Sequence, residues 1–215
     1  MDITLFHYVH CPYCIRVRMA LGYLNLPFES VVVAYDDEKT PVSLTGKKML
    51  PIMKFGDEAI NESLDIIARL DQKNLLEVKS INADPSFQEF TNLLNKLGTN
   101  VHNLAMPNWI WTPEFTDASR RYFQSKKENK RGPFKELTKK KDQFIRAITA
   151  DLSEVSQDLK PFYRSENFSL YDILMAAHLW GLYVVPEFQF PENIHHYLQE
   201  VKKVCKFDYH RDFWI

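Results

Sequence analysis

The chain has 215 residues, 45% of them hydrophobic and 26% charged, which is ordinary for a folded protein and enough to bury a core without staples. Its 27 Lys and Arg against 28 Asp and Glu give a formal charge of −1, so no whole-molecule field directs it to nucleic acid or to an anionic membrane. No apolar run approaches the roughly eighteen residues of a membrane-spanning helix, and three cysteines are too few and too odd in number for a secreted disulfide framework, which places the protein in a reducing cytoplasm.

At the N-terminus Met1-Asp2-Ile3 puts an acid where a secretory leader carries basic residues, so no signal segment is expected. Ile3 to Tyr8 reads as a strand ending at a cysteine pair. Val17, Ala20, Leu21 and Leu24 recur at helical spacing and predict an amphipathic helix starting just after Cys11. Phe28 to Val33 is a valine-rich strand. Thr40-Pro41 reads as an N-cap and first helical residue, opening a short helix that Gly46 closes. Ile52 to Phe55 and Glu58 to Ile60 flank Gly56-Asp57 as a hairpin, and Leu64, Ile67, Ala68 and Leu70 mark a third helix. The order β-α-β-α-β-β-α is that of a thioredoxin-like domain, assigned to residues 1–72.

Residues 73–84 read as a linker, and Asp84-Pro85 caps the first helix of an all-helical part, residues 85–215. There Phe87, Phe90, Leu94 and Leu97 follow at helical spacing, and further helices are predicted over 117–127, 134–159, 169–182 and 192–203. The prolines at 107, 113, 133, 161, 186 and 191 fall mostly between them.

Cys11-Pro12-Tyr13-Cys14 lies between a strand and a helix N-terminus. The first turn of a helix carries unpaired N–H groups and partial positive charge, which stabilise an adjacent anion. The thiolate is the nucleophile of disulfide exchange, and pairs of this spacing span pKa values of roughly 3.5 to 7. Cys11 is therefore the candidate nucleophile. Cys14, one turn in at the edge of the apolar face, is the candidate resolving thiol. Half of a zinc site and an iron–sulfur ligand pair remain as other readings, although the second ligand pair that zinc needs is missing. A structural disulfide fits poorly with a reducing compartment.

On three matches the chain resembles the glutaredoxins, and among them the bacterial glutaredoxin 2 group, built like a glutathione transferase. They are the dithiol Cys11-Pro12-Tyr13-Cys14, the proline of Leu50-Pro51-Ile52 before the third strand, and Glu62-Ser63-Leu64-Asp65-Ile66 opening the third helix. Order and length match over essentially the whole chain. The resemblance implies a glutathione-dependent thiol–disulfide oxidoreductase that acts as a monomer on glutathionylated or disulfide-containing proteins. Glutathione is then a co-substrate, with no bound cofactor or metal and no nucleic-acid or membrane partner. It implies a cis Pro51, with the Leu50 backbone pairing with the cysteine of glutathione. It also implies Ser63 capping the third helix over the γ-glutamyl carboxylate, Glu62 accepting from the ligand's ammonium, Tyr13 packing against the tripeptide, and Lys48, more than Lys47, meeting the glycine carboxylate. The rivals on the same architecture are a glutathione transferase acting on electrophiles and a non-enzymatic binding module.

Other features are expected to be structural. His10 reads as a loop histidine near water, Arg16 as solvent-facing, and Arg18 as bordering the Cys14 face. Cys205 reads as a small buried hydrophobe. Phe168-Ser169-Leu170-Tyr171-Asp172-Ile173 carries a capping box inside a hydrophobic staple. Residues 120–146 hold eleven Lys or Arg against Glu128, Glu136 and Asp142 and read as a solvated face. Trp109, Trp111 and Phe115 read as packing near the domain junction.

Overall fold

The computed structural model describes residues 3–213; the acid at position 2 and the expected outer limits, residues 1 and 215, lie outside them. Four strands form one sheet in the order β2-β1-β3-β4, with β1 at Ile3–His7, β2 at Glu29–Val32, β3 at Ile52–Phe55 and β4 at Glu58–Asn61. β1 and β2 run parallel, Leu5 opposite Ser30, joined through helix α1 (Pro12–Tyr23) as a right-twisting sheet requires of parallel neighbours. β3 returns antiparallel to β1, and β3–β4 is the expected hairpin, with Gly56 at φ 60 in its turn.

α1 differs from expectation. It is buried on nearly all sides, at Pro12 and from Cys14 through Leu21, so no polar stripe faces water. It packs beside α3 (Ser63–Leu70) on one side and against α9 (Leu170–Leu179) of the helical half on another. Arg16, expected at the surface, is therefore buried under that cover. Close approach is needed at Gly22, where a Cβ would stand 1.7 Å from the Cys205 carbonyl oxygen. Helix α2 is Lys39–Thr45; Asp37, rather than Thr40, caps it by accepting from the Thr40 N–H and hydroxyl at 2.9 and 2.6 Å. Helix α3 is Ser63–Leu70.

The stretch read as a linker contains a short helix, α4 (Val78–Ala83), and Val78 is buried. The helical half continues with α5 (Pro85–Trp109), capped by Asp84, which accepts from Ser86 N–H at 2.8 Å. Pro107 lies inside the last turn of α5 and does not separate helices. α6 spans Asp117–Arg131. The single helix expected over 134–159 is two, α7 (Phe134–Lys139) and α8 (Lys141–Gln157), broken at Lys140 where packing redirects the chain without any Gly or Pro. After α9 a 3-10 turn covers Trp180–Val184, and α10 is Glu192–Val204. The capping box on α9 is present: Asp172 accepts from Ser169 N–H at 2.8 Å, and its second oxygen accepts from Tyr163 N–H at 2.8 Å and Tyr197 hydroxyl at 3.0 Å. Cys205 is fully buried among apolar groups, and burial pushes its thiol pKa up. Among the described residues no helix is long and apolar enough to cross a membrane.

Candidate functional site

β1 delivers the chain to Cys11, the N-cap of α1, held extended at φ −69 and ψ 120. Pro12 follows at the first helical position, where its missing N–H costs nothing. The Cys11 carbonyl accepts from Ile15 N–H at 2.9 Å and starts the helix. Cys11 is partly exposed as a residue, whereas Cys14 is fully buried and its sulfur accepts from Tyr8 N–H at 3.4 Å.

The two thiols are driven apart in acidity. Donation from the Cys14 thiol lowers Cys11 most. Burial opposes it, the backbone N–H groups of Cys14 and Tyr13 and the Lys127 ammonium reinforce it, and the result is a pKa of about 7. Burial, then the bond to Cys11, pushes Cys14 well above the ordinary thiol range. At neutral pH the Cys11 thiol is partly ionised, and the Cys14 thiol keeps its proton.

Cys11 opens onto a cleft of about 620 Å³ between the sheet and the helices. Tyr13, 47% exposed, stands at its rim with the Arg16 guanidinium 4.6 Å from its ring centre. Burial lowers Arg16 to about 10, which leaves it charged at neutral pH. Leu50 lines the same cleft beside Lys48, and the Leu50–Pro51 bond is cis. The Lys48 ammonium donates to the Tyr35 carbonyl at 3.0 Å and to Glu38 at 3.2 Å, and it also touches the Tyr122 hydroxyl. Pro51 is buried. Of the residues singled out from the sequence, Cys11, Tyr13, Lys48 and Leu50 thus share one cleft.

Glu62 and Ser63 begin α3 outside the cleft's wall. Ser63 is the first helical residue and is buried, so it is not the N-cap. That position falls to exposed Glu62, at φ 72, whose side chain makes no capping bond.

His10 is also not where the sequence put it. It is 1% exposed, and its ring meets the Thr112 hydroxyl at 2.7 Å, the Tyr209 hydroxyl and the Glu114 carboxylate. It stacks on Trp109 with ring centres 5.3 Å apart. The residue before Cys11 is thus bolted to the helical half. Burial pushes Glu114 up, but its contacts with His10 outweigh this and hold the carboxyl below its usual range. Trp109 and Phe115 are buried at this junction as expected, while Trp111 is 70% exposed beneath the Arg120 guanidinium. Arg18 anchors the C-terminal segment through Asp208 and Tyr209 carbonyls at 2.6 and 3.0 Å.

Several residues of the cleft carried no motif. Tyr8 and Tyr35 stack at 4.1 Å beneath it. α6 contributes Lys126, Lys127, Lys130 and Arg131 to its wall, so part of the basic stretch read as a solvated face looks inward at Cys11. His102 and His178 also line it, and burial lowers each to about 3, leaving both neutral. The excess of cations over 120–146 was the signal available for α6; the tyrosines and histidines gave none. Among the described residues no group of three or more His, Cys, Asp or Glu side chains is placed to hold a metal ion.

A thioredoxin-like sheet, a helical second half and a cysteine on the cleft between them, with a second cysteine buried behind it, define a protein of glutathione-transferase architecture with a cysteine-pair site. Residues 89–211 match the family model of the glutaredoxin 2 C-terminal domain, and residues 5–75 match that of the glutathione S-transferase N-terminal domain. The chain is 33% identical to glutaredoxin 2 of Escherichia coli strain K12 over 209 residues, covering 94% of each. It superposes on glutaredoxin 2 of Salmonella typhimurium, solved in complex with glutathione, with a TM-score of 0.85 and 28% identity, over 100% of this chain and 99% of that one. A glutathione S-transferase of Ceriporiopsis subvermispora shares the fold alone, at TM-score 0.78 and 14% identity over 98% of each chain. The chain belongs to the glutaredoxin 2 family, which supports a glutathione-related redox function.

Proposed function

We propose that the chain is a glutathione–disulfide oxidoreductase that reduces glutathione mixed disulfides and protein disulfides, with Cys11 attacking and Cys14 resolving. The observation that carries this is Cys11, a partly exposed residue at a helix N-terminus with its thiol pKa lowered to about 7, opening onto a cleft of about 620 Å³. About half of such a thiol is ionised at neutral pH, close to the optimum for an attacking sulfur.

Cys11 thiolate attacks the glutathione sulfur of a mixed disulfide. The sulfur–sulfur bond breaks, the partner leaves as a thiolate and takes a proton, and Cys11 keeps the glutathione. A second glutathione thiolate attacks that adduct, forming glutathione disulfide and restoring the Cys11 thiolate. On a protein disulfide Cys11 forms a mixed disulfide with one substrate sulfur. Cys14 then loses its proton and attacks Cys11, giving an internal disulfide that two glutathiones reduce. The high pKa of Cys14 suits a thiol that acts second.

Glutathione is the co-substrate. In this reading the Leu50 backbone beside cis Pro51 pairs with its cysteine, Tyr13 covers it, and Lys48 meets its glycine carboxylate. The start of α3, Glu62 with Ser63, receives the γ-glutamyl end, as helix N-termini receive anions. Both walls of the cleft come from one chain, which supports a working monomer, and ready thiols suit the cytoplasm.

Glutathione-coupled reduction of a mixed disulfide by Cys11→Ser and Cys14→Ser tests the roles. The first variant is expected to be inactive and the second to keep monothiol turnover; activity retained in the first overturns the assignment. The apolar helical wall, with Leu94, Met106 and Trp109, favours transferase chemistry as a second reading. Conjugation of an electrophile that outpaces disulfide reduction would establish it instead.

A further inference from the structure

The charge of this protein is segregated. The whole chain carries −1, yet the cleft is lined by Lys48, Lys126, Lys127, Lys130 and Arg131 and, among the described residues, by no Asp or Glu. Lys48 has its carboxylate partner in Glu38. Arg131 spends its guanidinium on neutral groups, donating to Asn103 at 2.8 Å with His102 at 3.4 Å. Lys126, Lys127 and Lys130 form no ion pair among the described residues. His102 and His178 add no charge of their own at neutral pH. Three cations of one helix therefore line the cleft of Cys11 outside any ion pair: Lys127, partly buried, acts on the Cys11 thiol, while Lys126 and Lys130 stand exposed beside it, Lys126 also within the field of Glu38.

In-line displacement places the attacking, central and leaving sulfurs on one axis. The leaving sulfur points away from Cys11 into a cleft walled by α5 and α6, and of the α6 cations Lys127 is near enough to lower the Cys11 pKa. A group attached to that sulfur lies in the field of the lysines that α6 places along the cleft, Lys126, Lys127 and Lys130, and the thiolate that forms there gains from the same charges. We infer that the preferred substrates of this site are proteins whose glutathionylated cysteine is flanked by Asp and Glu, recognised by the lysines of α6 opposite Cys11. This rests on the redox reading above and specifies its substrate class.

The test uses the full chain and three mixed disulfides of glutathione: with a peptide whose cysteine is flanked by glutamates, with the same peptide carrying lysines, and with uncharged 2-mercaptoethanol. The kcat/KM ratio of acidic to basic peptide is expected to be about tenfold or more at low salt. It should shrink toward one as salt shortens the Debye length from about 10 Å at 0.1 M to about 3 Å at 1 M. In the double variant Lys126→Gln, Lys130→Gln the ratio should collapse at every salt concentration, and taking a ratio cancels any loss common to both peptides. A ratio near one in the unmodified protein, with the uncharged disulfide turned over normally, overturns the substrate class and leaves the redox reading standing. Absence of turnover with all three overturns both. A ratio that survives both the double variant and the triple variant with Lys127→Gln added removes the lysines as its cause and overturns the proposal.

Discussion

The Cys14 thiol is the foremost support of the Cys11 thiolate, and removing it makes a quantitative prediction. A hydrogen bond to a charged group contributes about 1.5–3 kcal/mol, and about 1.4 kcal/mol moves a pKa by one. Cys14→Ala is therefore expected to carry Cys11 from about 7 to about 8 or 9. At pH 7 the thiolate fraction falls from about one half to about one tenth or one hundredth. A more basic thiolate is also the better nucleophile, with a Brønsted slope of about 0.4–0.5, which returns about three- to eightfold. The net loss at pH 7 is thus only about two- to sixfold, and at pH 9 the order reverses, the variant reacting about two- to fourfold faster. The assay is the pH dependence of iodoacetamide alkylation of Cys11, located by mass spectrometry, in parallel on the unmodified chain, Cys14→Ala and Cys14→Ser. The serine keeps an O–H donor and should lie between the other two. Curves that share a midpoint near 7 and differ only in height would refute the reasoning, because the buried thiol would then not be what holds the charge.

Lys127→Gln is expected to raise the same midpoint by less than Cys14→Ala does and to weaken its dependence on salt; an unchanged titration would remove α6 from the electrostatics of Cys11. Gly22→Ala puts a Cβ 1.7 Å from the Cys205 carbonyl oxygen, backbone against backbone, and is expected to destabilise by about 3 kcal/mol or more in urea unfolding, while Gly46→Ala, with nothing within 4 Å but φ 73, should lose far less. Burial holds His7 at about 4, and His102 and His178 at about 3, below the unfolded value of about 6.5. The unfolded chain then binds up to three more protons than the folded one. Stability should be full above pH 6.5 and fall as pH drops toward 4, by up to about 4 kcal/mol per pH unit; urea midpoints that stay constant between pH 7 and pH 5 would contradict the assignment of neutral buried histidines.

What the sequence disclosed, it disclosed locally. The dithiol, the proline before β3 and the hairpin at Gly56 are each spelled within a few residues, because strand ends, helix starts and turns depend on the chain nearby. The same holds for the Ser169–Asp172 capping box. What was hidden depends on the second half folding over the first. α1 shows the spacing of an amphipathic helix, but α9 covers the face that spacing leaves to water, so Arg16 is buried against Tyr13 and His10 is locked to Thr112 and Tyr209. Lys127 is one lysine of a basic run until the fold turns its side of α6 toward Cys11. The break between α7 and α8 at Lys140 has no local breaker to announce it. Ser63 shows the resolution of cap reading: a single-residue shift at Glu62 moved it from the cap into the helix.

The helical half is therefore part of the thiol's chemistry as well as its support. Two amides and a buried thiol come from α1, all within three residues of Cys11, and together they lower its pKa against the opposing effect of burial. The remaining named contribution, the Lys127 ammonium, comes from the other half of the chain. So does the junction around His10, which fixes where Cys11 stands relative to that charge: Trp109, Thr112 and Glu114 hold the ring from one side and Tyr209 from another. Loosening this junction would leave the cysteine pair intact and change the wall it faces. Thiol acidity is set mostly by α1, and because Lys127 of α6 adds to it from across the cleft, a change in α6 is expected to move the Cys11 titration and the wall it faces together.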